Sequence, residues 1–239
     1  MIKIVRKVAG LSINEDMRNK WLEQTLAAIP AGARILDAGA GELRNKPLCN
    51  HLANVSQDVC QYEGIGDELG LQTGAWDTSK IDLVCDIVNI PESDASFDVI
   101  LCSEVFEHLP CALKALDEFR RLLKPGGKLI ITAPFASLVH FAPYHYATGY
   151  SRYWYEYHLP SRSFEIQELT SNGDWFSYAK QEILRLPVMA KRYGDRCWPL
   201  AYLVAGVAFV YFMLRGKSQS ASDVACFGWH CIAIKRQED

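Results

Sequence analysis

Five short apolar runs, each of four to seven residues, set the architecture open to this chain: 34–37, 59–65, 81–87, 97–103 and 128–134. They are mostly continuous rather than alternating, so they read as strands buried on both faces. That is the mark of a parallel sheet covered by helices, an α/β fold. Helical spacing lies between and before them. Ser12 and Glu15 form a capping box, followed by Met17, Trp21, Leu22, Leu26 and Ile29 at helical intervals, with Pro30-Ala31-Gly32 as the stop. Leu113, Leu116, Phe119 and Leu123 repeat the pattern, and "KPGG" at 124–127 is expected to end that helix. Two later strands are expected at 164–169 and 224–235, with a mainly helical, apolar insert at 174–222 between them.

The 239 residues, 49% hydrophobic, suffice for one domain with a sizeable core. Its expected parts are an N-terminal helical segment (1–32), a ligand-binding core (33–135) and an aromatic loop (136–160), followed by the late strands and their insert. A net charge of −3 gives no sign of nucleic-acid binding. The eight cysteines form no CxxC pair and no metal-type spacing with histidine, so no metal is expected. Residues 1–16 contain no long apolar stretch, so no signal peptide is expected, and buried free thiols and a reducing cytoplasmic setting are expected with it.

The first strand leads into Asp37-Ala38-Gly39-Ala40-Gly41. In an open α/β sheet, ligands sit at the carboxyl ends of the strands, and the first such turn is a favoured place. Glycine lets the backbone approach a ligand, and a helix end beyond it offers N–H groups. A tight turn needing glycine only for its dihedrals accounts for this pair equally well. A dinucleotide turn requires a third glycine in G-x-G-x-x-G, and here Arg44 holds that place. That disfavours the alternative of an NAD(P)-dependent oxidoreductase. A non-catalytic domain of the same fold that binds a partner is a second alternative.

The blocks "ILDAGAG", "YEGIGDE", "DLVCDIVNIP", "SFDVILCSEVFEHLP" and "LLKPGGKLIITAP" follow one another at the spacing of a known family. Over about 33–135, and more loosely over 160–235, the chain resembles the class I S-adenosylmethionine-dependent methyltransferases, in particular a branch with an EVxEHL segment after the fourth strand. The resemblance implies a Rossmann-like, seven-stranded sheet ordered 3-2-1-4-5-7-6 with the last strand antiparallel. It implies that Gly39 and Gly41 lie under the methionine part of S-adenosylmethionine, with Asp37 near its amino group. Asp67 would hold the ribose, with Glu63 as competitor. Asp86 and Ile87 would flank the adenine, and Ser103 would lie beside the methionine part. The chain departs from the family pattern at Leu43, where a third glycine is usual, and at Pro47, which delays the next helix.

Methyl transfer from a sulfonium is a direct displacement in which the protein aligns the acceptor and, for some acceptors, removes a proton. His108, His140 and His145 are the candidate bases; each is as readily a capping or hydrogen-bonding histidine. Tyr144, Tyr146, Tyr150, Tyr153, Trp154 and Tyr155 are candidates for an acceptor wall or for the packing of a lid. The expected acceptor is a small molecule, a lipid or a sugar-like compound. The apolar stretch 198–214 would reach only about 25 Å as a helix, short of the ~30 Å of a hydrocarbon core, so no transmembrane span is expected. Seven basic against two acidic residues over 180–217 point to peripheral membrane contact, and Ala201, Ala205 and Ala208 to contact with protein, including a second copy of the chain.

Overall fold

A computed structural model describes residues 13–215 and 221–237. Ser12 of the expected capping box lies outside them. The elements are α1 (Ile13–Ala27), β1 (Arg34–Ala38), β2 (Ala53–Asp58), β3 (Leu83–Val84), β4 (Phe97–Ser103), α2 (Ala112–Leu122), β5 (Leu123–Pro134), α3 (Arg152–His158), β6 (Phe164–Asn172), α4 (Trp175–Arg192), α5 (Trp198–Leu214) and β7 (Gly228–Lys235). The strands form one sheet in the order β3-β2-β1-β4-β5-β7-β6. β1 pairs in parallel with β2 and β4, and β4 with β5, whereas β7 runs antiparallel to β5. The expected sheet is therefore present.

Burial explains why the central strands read so clearly. Ile35, Leu36, Ile100, Leu101, Ile130 and Ile131 are fully buried, and each contributes about 1.5–3 kcal/mol by leaving water. Leu22 and Leu26 of α1 pack with Ile35, Val99, Leu101 and Ile130. α2 buries Ala115, Leu116, Phe119 and Leu122, the one-sided pattern its spacing predicts.

Three local readings are corrected. The second strand is Ala53–Asp58, not 59–65. Its sequence ANVSQD is polar because its buried side chains serve as hydrogen-bonding groups. Ser56 Oγ donates to Asp82 Oδ2 (2.6 Å), and Gln57 Nε2 donates to the Cys85 carbonyl (2.7 Å). The third strand shrinks to two residues. The helix before "KPGG" does end, at Leu122, but "KPGG" is not its cap: β5 already begins at Leu123, opposite Phe97, and the register slips before Lys128 meets Val99. Residues 124–127 are thus a bulge, in which Gly126 takes a φ of +76° that favours glycine.

The described residues divide into two compact units, 21–170 with 228–237, and 13–20 with 171–215 and 221–227. In the second, Asp174 caps α4 by accepting from Ser177 N (2.9 Å), and Gly194, at φ +69°, turns the chain toward α5. The two helices run antiparallel, with Arg215 over the Phe176 ring (3.5 Å), Lys180 over Phe209 and Lys191 over Trp198. Among the described residues no helix is long and apolar enough to cross a membrane.

Candidate active site

The glycine turn after β1 is clipped to the end of β2. Gly39 N and Ala40 N donate to the Gln57 carbonyl (both 2.9 Å), and Gly41 N donates to Asp58 Oδ2 (2.9 Å). Gly39 and Gly41 sit at φ +73° and +51°, and Leu43 adopts +59° in place of the family's third glycine. The departure at Leu43 therefore leaves the turn's left-handed geometry in place. A Cβ on Gly39 would fall 2.5 Å from Val105 Cγ2, and one on Gly41 2.7 Å from Trp76 Cζ2. The glycines are needed for space as well as for dihedrals. Asp37, 1% exposed, lies at the end of β1, and its Oδ2 has no hydrogen-bond partner among the described residues. Burial pushes its carboxyl up to about 7.

The acid at the tip of β2 is Asp58, a residue the sequence reading missed because it placed the strand too late. The signal was available in Asp58 itself, the carboxylate that ends a strand whose polar residues disguised it. Asp67 lies nine residues on, exposed, where its Oδ1 accepts from Leu69 N (3.0 Å). It belongs to a long segment, 59–82, that folds onto the loop after β5. Asp67 N donates to the Ala142 carbonyl (3.1 Å), Leu71 N to the Val139 carbonyl (3.0 Å) and Phe141 N to the Leu71 carbonyl (3.2 Å). Tyr62 stacks on Phe141 at 4.5 Å, and Trp76 meets Phe141 edge-on at 5.1 Å. Glu63, also exposed, lies in the same segment. At the end of β3, Asp86 is exposed and accepts from Val88 N (3.1 Å), while Ile87 is buried. Ser103, the last residue of β4, bonds through Oγ to Thr132 Oγ1 of β5 (2.8 Å).

His108, His140 and His145 come together. Each offers a ring nitrogen within 4.8 Å of the others'. His108 ends a short 3₁₀ turn, Phe106–His108, after β4; the other two come from the loop after β5. His108 Nδ1 bonds to the Tyr144 carbonyl and His140 Nδ1 to the Leu138 carbonyl (2.9 Å). A carbonyl only accepts, so both Nδ1 atoms carry a proton, and in the neutral ring the lone pair lies on Nε2. Those Nε2 atoms lie 3.7 and 3.8 Å from Glu107 Oε1, a carboxylate that is 1% exposed. Burial holds His108 down at about 4, and burial with the neighbouring His140 lowers His145. Of the tyrosines, Tyr150 donates to the Phe106 carbonyl (2.8 Å) and Tyr155 is fully buried, so these two brace the loop. Tyr153 is 72% exposed and lines nothing here.

The relatives identify the family. A family profile described as a methyltransferase domain matches residues 13–182. A ubiquinone biosynthesis O-methyltransferase of Xylella fastidiosa is 32% identical over 114 residues, 46% of this chain and 46% of that protein. The chain thus matches about half the length of the curated relatives. Among solved structures, the [4+2]-cyclase SpnF (TM-score 0.55, 18% identity, 91% of this chain and 80% of that one) shares the fold. So does a putative sarcosine dimethylglycine methyltransferase from Galdieria sulphuraria (TM-score 0.55, 16% identity, 95% and 86%). Glycines pressed against the end of β2, carboxylates at the ends of β1 and β2 and a profile spanning most of the chain lead to one assignment: the chain belongs to the class I S-adenosylmethionine-dependent methyltransferases.

Proposed function

We propose that this methyltransferase acts on a hydroxyl oxygen of a small aromatic acceptor that carries a lipid tail. The observation that carries the reading is the meeting of His108, His140, His145 and Glu107 at the carboxyl end of the sheet, beside Phe141. A hydroxyl is a weak nucleophile until it loses its proton, so a group of imidazoles beside a carboxylate, with burial favouring the neutral form of His108 and His145, suits oxygen better than an amine already free of its proton. The name of the Xylella relative supports oxygen and an aromatic acceptor with an isoprenoid tail.

For the cofactor, Gly39 and Gly41 take the methionine part, Asp37 its amino group, Asp58 rather than Asp67 the ribose hydroxyls, Asp86 and Ile87 the adenine edge, and Ser103 the sulfur side. The acceptor oxygen's lone pair forms the new bond to the methyl carbon as the carbon–sulfur bond breaks, and the electron pair stays on sulfur as a neutral thioether. The lid of Tyr62, Trp76 and Phe141 supplies an apolar wall that keeps water from the sulfonium.

The hairpin of α4 and α5 supports a lipid-tailed acceptor. Leu203, Val207, Val210 and Leu214 are 54–80% exposed, and the surrounding stretch is strongly basic. Such a surface suits contact with an anionic bilayer. Methyl-labelled S-adenosylmethionine offered with hydroxylated benzoates and with polyprenyl catechols, and products read by mass spectrometry, tests the reading. Label on oxygen of the tailed phenol is expected. Label on nitrogen or carbon, or equal turnover of tailed and tail-free acceptors, overturns the corresponding part.

A further inference from the structure

We propose that His108, His140, His145 and Glu107 bind a divalent transition-metal ion, zinc or a close chemical relative. Three imidazoles in mutual reach are a costly arrangement without a shared partner. Among the described residues, His108 Nε2 and both ring nitrogens of His145 are buried without a hydrogen-bond partner, although a buried polar nitrogen left unpaired costs about 1–3 kcal/mol. Metal ions resolve this, because the lone pair that lacks a donor becomes a ligand.

The surroundings are those of a ligand set. A metal-binding histidine characteristically donates its other N–H to a carbonyl or carboxylate, which fixes the tautomer and aims the free nitrogen. His108 and His140 both do this, toward Tyr144 and Leu138. Their free Nε2 atoms then face the same carboxylate oxygen, Glu107 Oε1, at 3.7 and 3.8 Å. Metal–nitrogen bonds of about 2.0–2.1 Å place ligand atoms roughly 3 Å apart, so donors within 4.8 Å converge by small ring rotations. Three nitrogens and one oxygen favour zinc, cobalt(II), iron(II) or nickel over magnesium or calcium, which select oxygen sets. With four protein ligands at most, an ion that accepts a fifth position has room for an acceptor oxygen. This role, though not the metal binding itself, rests on the function proposed above: the bound hydroxyl ionises, its proton passes to solvent, and the oxygen then attacks the methyl carbon.

The spacing escaped notice in the sequence because the ligands lie 32 and 37 residues after His108 and no cysteine takes part. The test uses the full chain, stripped with a chelator and titrated with cobalt(II) alone. One equivalent is expected to bind, giving visible d–d bands without the near-ultraviolet thiolate-to-cobalt band. His140→Ala and His145→Ala should each weaken binding at least about tenfold while retaining the chelated protein's melting temperature and its affinity for S-adenosylhomocysteine. No d–d bands with the wild-type chain, a thiolate band, or unchanged binding in both variants overturns the site. If a variant fails to fold, the wild-type titration still decides. Cobalt binding together with nitrogen methylation would overturn the proposed acceptor and leave the metal site standing.

Discussion

Asp37 is a carboxyl held near neutral pH by burial, and its consequences are signed. Its folded value, about 7, lies above the ordinary carboxylate range near 4. Between those pH values the folded chain holds a proton that the unfolded chain has released, so this group's stabilising contribution is complete below about 4 and is lost as pH rises through 7, by at most about 4 kcal/mol. His108 slopes the other way: its folded value, about 4, lies below 6.5, so its contribution is lost as pH falls through that range. A single melting curve mixes the two, and Asp37→Asn separates them. The variant's stability relative to wild type should improve from pH 5 to pH 8 in thermal scans without ligand. The ligand's ammonium favours ionised Asp37, so the variant's loss of affinity for S-adenosylhomocysteine should be greatest at pH 8. A second prediction concerns the β2 tip. Asp58→Ala removes the acceptor of Gly41 N and, under the proposed role, the partner of the ribose, and should weaken S-adenosylhomocysteine by about ten- to a hundredfold. Asp67→Ala should change it less than about threefold in calorimetric titration. Equal effects would return the ribose role to the lid segment.

At the scale of elements, legibility followed the source of each element's stability. β4 and the core of β5 are held by apolar burial, which sequence displays directly, and β4 was placed at its observed bounds. β2 and β3 are held by side-chain hydrogen bonds among Ser56, Gln57, Asp82 and Cys85, and such residues look like loop until their partners are known. The glycine turn was legible because glycine spacing is local. The histidine cluster was legible only as three separate candidates, because two loops must fold before they meet. The lid is the element that no periodicity announces. It is written in glycines: a Cβ on Gly66 (φ +55°) would stand 1.9 Å from the Ala142 carbonyl oxygen, and one on Gly64 1.7 Å from that of Gly74. Gly66→Ala should therefore part the 59–82 segment from the loop after β5. We expect a loss of about 1–3 kcal/mol, read as a lower melting temperature, and faster amide exchange at Asp67, Leu71 and Phe141. Unchanged exchange at those three amides would show that the lid tolerates the side chain.

At the scale of the whole molecule, the apolar hairpin separates surface chemistry from fold. Leu203→Glu with Val207→Glu places two charges on residues 62% and 65% exposed, so the melting temperature should move by less than a few degrees. Flotation with liposomes containing anionic lipid should fall at least severalfold. Retained flotation would assign the hairpin to protein contact instead. The order of the sheet carries a different consequence, for synthesis on the ribosome. β6 is joined to the sheet only through β7, which is made more than fifty residues later. While α4 and α5 emerge, β5 waits with one edge open and β6 has no neighbour. The apolar hairpin is therefore translated before the sheet can close, in a nascent chain that exposes both a strand edge and a greasy helix pair. That interval, rather than the finished fold, is when this protein most needs a chaperone or a membrane surface beside it.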